Sequence, residues 1–442
     1  MMKKFILLFV TLASLAACKK DRPESTTVDL QVQLSSALSL ADQQSFPFDQ
    51  VKVTLINLRN QSTSELTPDA SGKLTFTGIA AGDYNINAAV TLSRSDYEAL
   101  TGTDPGADVS FNASQNNLNI PVGFSETISL ELVNGTSGAF LIKQVYYAGS
   151  DTKNGANFRD QFLEIYNNTD EVLYADGLYV SRLWGKQRPE DKADYYQENG
   201  QLDWSKSRGM PSDIDANKDY VYLRDLFQVP GSGNEYPVNP GESIIIAQNA
   251  LNHKVPFTNN KGDEVSVKDP DLTVDLSDAD FEVYYGDIPG KTPFATDIDN
   301  PSVPNMLPIN YDGNDWILDS NGKDSYIIFK AENGLDVTTL NAYYEPLIAE
   351  PGPSAKTYIQ LPVDAIMDAV EAQPNLAEDR IPKKLRPDFD AGFAFVTLGR
   401  YSSQAIIRKT ERTEGGRKIL KDTNNSTEDF VVIKANPRGF AD

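Results

Sequence analysis

Between residues 28 and 133 apolar and polar positions alternate with a period of two. Val28, Leu30, Val32 and Leu34 do so in VDLQVQL. Val51, Val53 and Leu55 do so in VKVTLINL, before the pattern fades into a turn at Asn57. Alternation of this kind sets one face of a strand on a core and leaves the other to polar residues. Residues 67–92, TPDASGKLTFTGIAAGDYNINAAVTL, continue it. Gly72 breaks one turn, Leu74 and Phe76 point one way, Gly78 and Gly82 bracket the next turn, and Tyr84 and Ile86 resume the alternation. Several short strands at this spacing predict a small β-sandwich over residues 28–133.

The texture changes from residue 134. AFLIKQVYYAGS reads as a strand with a glycine exit. In residues 159–180, RDQFLEIYNNTDEVLYADGLYV, Phe162, Glu164 and Tyr166 share one strand face and Leu163 and Ile165 the other. Asn167–Asp170 turn, and Val172, Tyr174 and Gly177 begin a return strand. The stretches 183–236, 255–322 and 345–393 are turn-rich and aromatic and read as long loop insertions. Loops of that length in a compact domain are either functional or disordered, and the tryptophan and tyrosine content argues for order. One helix is expected, in VDAIMDAVEAQ, with Val363, Ile366, Met367 and Val370 on one face and a stop before Pro374.

Two resemblances follow from these stretches. Asp69, Ala70, Gly72, Lys73, Phe76, Gly78, Gly82 and Tyr84 fit a pattern that resembles the transthyretin-like or carboxypeptidase-regulatory-like module, which implies a non-catalytic spacer or docking domain. The strand at 159–180, PVNPGESIIIAQN at 237–249 and DTNNSTEDF at 422–430 resemble pieces of the lamin-tail domain, an immunoglobulin-like sandwich. The expected fold is therefore mainly β with few helices. A small N-terminal sandwich (28–133) precedes a larger lamin-tail-like β-sandwich (134–442) enlarged by long insertions.

The N-terminus changes the picture of where this chain works. Lys3 and Lys4 precede the apolar run Phe5–Ala17, the layout of a secretory leader. That run is shorter than the ~20 residues a membrane-spanning helix needs. Leu15-Ala16-Ala17-Cys18 resembles the bacterial lipobox, which makes residues 1–17 a signal peptide and Cys18 the lipidated first residue of the mature chain. Cys18 is the single cysteine, so no intramolecular disulfide is available and the fold rests on its core. Two or more acyl chains on Cys18 would give a stable anchor in outer-membrane lipid, with residues 18–27 as a polar tether. CKKDRPE after the leader resembles lipoproteins of Bacteroidota displayed at the cell surface. The whole chain resembles an uncharacterised lipoprotein family of that phylum whose members tend to be encoded beside TonB-dependent receptors.

Charge narrows the partners. Without residues 1–17 the chain has 38 basic against 63 acidic residues, a formal charge of −25. Such a chain is repelled by nucleic acid. Residues 380–421 oppose the balance, with eleven Lys or Arg against four acids, and form a candidate anion or docking patch.

Candidate chemistry is sparse. His253 is the only histidine and has no convincing Ser–His–Asp or Cys–His arrangement around it; it reads as a packing or surface residue. Asp213, Asp215, Asn217 and Asp219 in DIDANKD occupy alternate positions, as oxygen ligands do in calcium loops. Lys218 stands where a glycine is usual and Arg224 where a closing glutamate is usual. TDIDNP (296–301) and NYDGND (310–315) carry the same signal more weakly. Trp184, Tyr195, Tyr196, Trp204, Tyr284 and Tyr285 in the insertions are candidate interface anchors. The reading that results is a non-enzymatic outer-membrane lipoprotein. It binds or serves a TonB-dependent uptake system, with a surface adhesive protein and a carboxylate-dependent hydrolase as alternatives.

Overall fold

The computed structural model describes residues 27–441 except 37, 42–43, 61, 106–108, 135–138, 190–193, 333 and 347–349. The leader, Cys18 and nearly all of the tether lie outside the described residues. The chain is mainly β with few helices, as the alternation predicts.

Seven strands between Thr27 and Asn134 form one sheet that closes over its own apolar core. Thr27–Ser36 buries Val28, Leu30, Val32 and Leu34 and exposes the residues between them. It pairs antiparallel with Lys73–Ala80 and parallel with Thr127–Asn134. Gly78 differs from its expected role at a turn. It lies inside the strand Lys73–Ala80, where the register slips opposite Asp29, and its N–H donates to Asp29 Oδ1 at 2.8 Å. A positive φ of 67° at that bulge is open to glycine at little cost.

The rest of the chain builds two larger sheets over a shared core. A six-stranded sheet carries Phe140–Tyr146 and Phe162–Asn167 at its centre, flanked by Ser243–Ala247 and Phe281–Glu282 on one side and Gln404–Arg408 and Phe430–Lys434 on the other. The strand Phe162–Asn167 is buried on both faces. Leu163 and Ile165 join the main core, while Phe162 and Tyr166 enter separate clusters behind the sheet. A five-stranded sheet opposes it, built from Leu307–Asn310, Leu226–Gln228, Leu178–Arg182, Ser325–Lys330 and Ile366–Glu371. Side chains from both sheets interdigitate around Trp316, Tyr326 and Phe227. Three strands of this second sheet come from stretches expected as insertions.

The expected helix at 363–373 does not form. Val363–Ala365 makes a single 3-10 turn and Ile366–Glu371 is a strand paired with Ser325–Lys330. The apolar residues fit a helix face, but the strand is buried on both faces, and its two acids are held inside by partners, Asp368 by Arg408 and Glu371 by the Ser325 hydroxyl. The sheet supplies backbone partners that an eleven-residue helix cannot match.

The basic stretch 380–421 is dispersed into the fold. Arg380 lies against Phe393 and Phe395, at 4.9 and 4.8 Å from the ring centroids. Lys383 is buried with its ammonium on the Asp390 carbonyl, and Arg386 pairs with Asp388 at 2.6 Å. Arg408 is buried among Asp368, Asp422 and Asp429. Among the described residues no helix is long and apolar enough to cross a membrane.

Candidate functional site

The six expected aromatic anchors separate into two groups. Trp204 stacks on Tyr222 with centroids 3.6 Å apart, and Trp184 stacks on Tyr358 at 4.7 Å. With Tyr196, Leu202 and Tyr343 they form the apolar centre of the 183–223 and 342–362 segments. Trp204 is buried there and offers no ring to a partner, whereas Trp184, Tyr195 and Tyr196 are half-buried. Tyr285 is buried in the main core, with Tyr284 half-buried beside it. Long loops need cores of their own, and their large aromatics are the residues that supply them.

The acidic loop 213–219 is folded against the same cluster. Asn217 Oδ1 accepts the Trp204 backbone N–H at 2.8 Å, and its amide N–H donates to Asp203 at 2.8 Å. Asp215 closes the turn by accepting the Asn217 and Lys218 N–H groups. Asp213 and Asp219 are exposed. Among the described residues no three acidic, His or Cys side chains converge as metal ligands. His253 is buried, with Nε2 3.1 Å from the Asn249 carbonyl and its ring edge on Phe257; burial pulls its pKa down.

The most unusual geometry lies elsewhere. Phe158 has φ 52° and Tyr401 φ 60°, and their rings stack at 5.2 Å. Bulky side chains rarely adopt left-handed backbone, at roughly 1–2 kcal/mol each. Both are half-buried. The loop after Phe140–Tyr146 holds them together: Tyr401 N–H donates to the Ala148 carbonyl at 2.8 Å and Ser403 N–H to that of Gly149 at 3.1 Å. Gly149 is required there, since a Cβ would fall 2.5 Å from Phe158 Cβ. Ser150, whose N–H and hydroxyl both bind buried Asp160, fixes the loop from below.

Around the pair the surface is apolar, with the exposed Arg400 guanidinium 5.5 Å from the Tyr401 ring centroid. Leu398, in the Tyr401 turn, is 74% exposed, and Phe294 is 44% exposed. The Arg159 guanidinium lies 4.9 Å from the Phe158 ring and 5.8 Å from that of Phe294. Beneath it, Arg159 pairs with buried Asp315, which also accepts from Gln248 at 3.1 Å. Asp297 follows, its Oδ2 accepting the Tyr285 N–H at 3.0 Å. Burial, and then the Asp315 charge, pushes Asp297 up to about 8; burial also pushes Asp315 up to about 6. Asp297 and Asp315 come from the two weaker acidic motifs of the sequence. Both are buried under Arg159 and the aromatic residues, so they act as a support for the patch.

Sequence reading missed Phe158 and Tyr401, because the sign of φ at a non-glycine residue leaves no trace in composition. Gly155 and Gly399 mark only that turns are near.

Comparison with known proteins finds a partial family match and a shared fold. Residues 239–437 match the family described as "Protein of unknown function (DUF4876)". Phe294, Asp297, Asp315 and Tyr401 lie inside that span; Phe158 and Arg159 precede it. The crystal structure of a DUF4876 family protein from Bacteroides thetaiotaomicron VPI-5482 shares the fold, with a TM-score of 0.51 and 23% identity, over 93% of this chain and 98% of that one. A protein described as a "putative adhesin" from Bacteroides ovatus matches at a TM-score of 0.18 and 8% identity, over 35% of this chain and 54% of that one. One described as a "putative cell adhesion protein" from Bacteroides eggerthii DSM 20697 matches at 0.16 and 11%, over 50% and 80%. The last two likenesses are too slight to bear on the fold. No curated protein matches this chain.

Proposed function

We propose that this protein is a lipid-anchored cell-surface protein that works by adhesion, with the Phe158–Tyr401 patch as its contact face. One observation carries the reading: two bulky aromatic residues are held in left-handed backbone, stacked and part-exposed, when glycine in either place would relieve the fold. Costly backbone of this kind persists where it serves a function. Aromatic and arginine side chains are the groups that most often anchor an interface, and Leu398 and Phe294 widen the apolar area around them. The lipobox at Cys18 supports display at a membrane surface. The buried positions of Asp297 and Asp315 deny them contact with a polymer substrate and speak against carboxylate-pair hydrolysis there.

The test is retention of cells displaying the protein on immobilised matrix proteins and glycans. Phe158→Ala and Tyr401→Ala should each abolish retention while the protein stays folded and displayed. Equal retention by both variants would refute the reading. Docking on a TonB-dependent receptor is the second reading, supported by the anchor and its confinement to the membrane plane. Recovery of such a receptor from solubilised membranes by wild type, and its loss in Tyr401→Ala, would favour it over adhesion.

A further inference from the structure

The strand Phe430–Lys434 ends the six-stranded sheet and pairs on one side only, with Gln404–Arg408. The other three ends of the two large sheets are closed. At Phe281–Glu282 the Glu282 N–H donates to the Pro304 carbonyl and the Met306 N–H to that of Glu282, at 3.1 and 2.8 Å. At Ile366–Glu371 the Glu371 N–H donates to Asp390 and the Ala394 N–H to the Glu371 carbonyl, at 2.7 and 2.9 Å. Leu307–Asn310 carries Pro308, which has no N–H to offer an added strand. Phe430–Lys434 has no such cover among the described residues, and its open groups can be named. The Ala435 N–H donates to the Ser403 carbonyl and the Lys409 N–H to that of Asp429. Asp429, Val431, Ile433 and Ala435 therefore turn their backbone groups toward Gln404–Arg408, and the residues between them turn theirs away. The Phe430 N–H is spent on the Ser426 carbonyl. The Phe430 carbonyl, both groups of Val432 and both of Lys434 meet no partner among the described residues.

That set of groups is self-complementary. Laid antiparallel about a two-fold axis at Val432, two copies match Val432 N–H to Val432 carbonyl in both directions and each Lys434 N–H to the other's Phe430 carbonyl. Only the Lys434 carbonyl is left over, opposite a Phe430 N–H already in use, and it lies where water can reach it. The charges agree with this direction. Lys434 is exposed and holds no ion pair among the described residues. Glu428 stands beyond the other end of the strand, 37% exposed, with Lys52 and Lys421 no nearer than 3.9 and 3.6 Å. Antiparallel pairing brings Lys434 of each copy to the Glu428 end of the other, whereas parallel pairing sets like charges together. Val431 and Ile433, both half-buried and β-branched, meet across the axis on one face of the joined sheet.

From this geometry we infer that the edge Phe430–Lys434 joins the same edge of a second copy of this chain, so that two six-stranded sheets run on as one across a two-fold axis. The strand shares no residue with the Phe158–Tyr401 patch, so self-pairing and adhesion fail independently; pairing would carry two such patches on one particle. The experiment is sedimentation equilibrium of the full chain in a density-matched detergent. Concentrations run up to ~200 µM, enough to populate a dimer whose interface is small. The wild type should pass from the mass of one chain to that of two as concentration rises. Val432→Pro removes an outward N–H and leaves the ladder with Gln404–Arg408 intact, so this variant should stay folded by circular dichroism and remain monomeric. The second variant carries Val431→Cys with Ile433→Cys. In the joined sheet these positions face one another as a non-hydrogen-bonded pair with Cα atoms ~4.5 Å apart, within disulfide range. Oxidation should give a covalent dimer on a non-reducing gel, which keeps the test sound if the proline variant misfolds. A wild type that stays monomeric throughout overturns the inference, whether or not it captures an extended peptide from another protein. A folded Val432→Pro that dimerises like wild type, or a double-cysteine variant that forms no covalent dimer, overturns it equally.

Discussion

Arg408 and Asp368 meet through two hydrogen bonds of 3.0 and 2.9 Å, with each side chain 2% exposed. The same guanidinium reaches Asp422 at 3.0 Å and Asp429 at 3.3 Å. One buried cation thus joins three carboxylates from two separate stretches of the chain. Arg408→Met should destabilise the protein by about 3–5 kcal/mol, because it leaves buried acids without a counter-charge. Equilibrium denaturation measures this directly. A loss under about 1 kcal/mol would show that the acids relax to solvent instead.

Tyr401→Gly separates stability from binding. It removes a left-handed penalty of roughly 1–2 kcal/mol and a ring stack worth roughly 0.5–1.5 kcal/mol. Stability should stay within about 1 kcal/mol of wild type while surface retention is lost. Gly149→Ala should do the reverse in stability. Its φ is +64° and its new Cβ would meet Phe158 at 2.5 Å, so thermal unfolding should shift downward by an amount equivalent to at least about 2 kcal/mol.

The acidic support beneath Arg159 sets a pH dependence. Asp297 has a folded value raised to about 8, chiefly by burial. The folded state therefore holds this proton more tightly than the unfolded chain does. The stabilisation is complete below the unfolded value of ~4 and is lost as pH rises through the folded value. Denaturation midpoints should fall between about pH 5 and about pH 9. Asp297→Asn, which mimics the neutral acid, should flatten the upper part of that fall. The slope that remains belongs to Glu282, Asp368 and Asp429, each raised to about 7, and Asp315, raised to about 6. An unchanged profile in Asp297→Asn would assign the whole dependence to other groups.

Asn217 is expected to act as a structural bridge. Asn217→Ala removes hydrogen bonds to Trp204 and Asp203 and should cost about 1–2 kcal/mol. The loss should be the same in excess Ca²⁺ and in excess chelator. A larger loss in Ca²⁺ would instead make the 213–219 loop a metal site.

Cys18→Ala should abolish lipid labelling and release the protein from membranes. Carbonate washing of cell envelopes reads this directly, and a variant that stays bound would remove the lipoprotein reading.

The strands that alternate cleanly were readable because one face meets a core and the other meets water. Thr27–Ser36 buries the four residues its pattern named. Ile366–Glu371 was not readable: with both faces buried, acids included, it has no period-two alternation, its apolar residues matched a helix face, and only pairing with Ser325–Lys330 decides between them. The anchors were half readable. Trp204 and Tyr285 are large aromatics in long loops, but whether such a ring faces solvent or the loop's own centre depends on contacts such as Trp204 with Tyr222. Phe158 and Tyr401 were invisible for a different reason. Their role rests on backbone angles imposed by residues far along the chain.

The order of strands in the six-stranded sheet also governs how the molecule is made. Phe140–Tyr146 pairs with Gln404–Arg408, and that strand pairs in turn with Phe430–Lys434. The central ladder stays incomplete until nearly all the chain has been synthesised. By contrast, the seven strands from Thr27 to Asn134 pair only with one another. The first part can therefore fold early, while the second waits for contacts more than 250 residues apart, a topology that folds slowly. While the chain is incomplete the unfinished sheet offers bare strand edges to its neighbours. A chaperone that shields those edges, more than any gain in final stability, should set the yield of this protein.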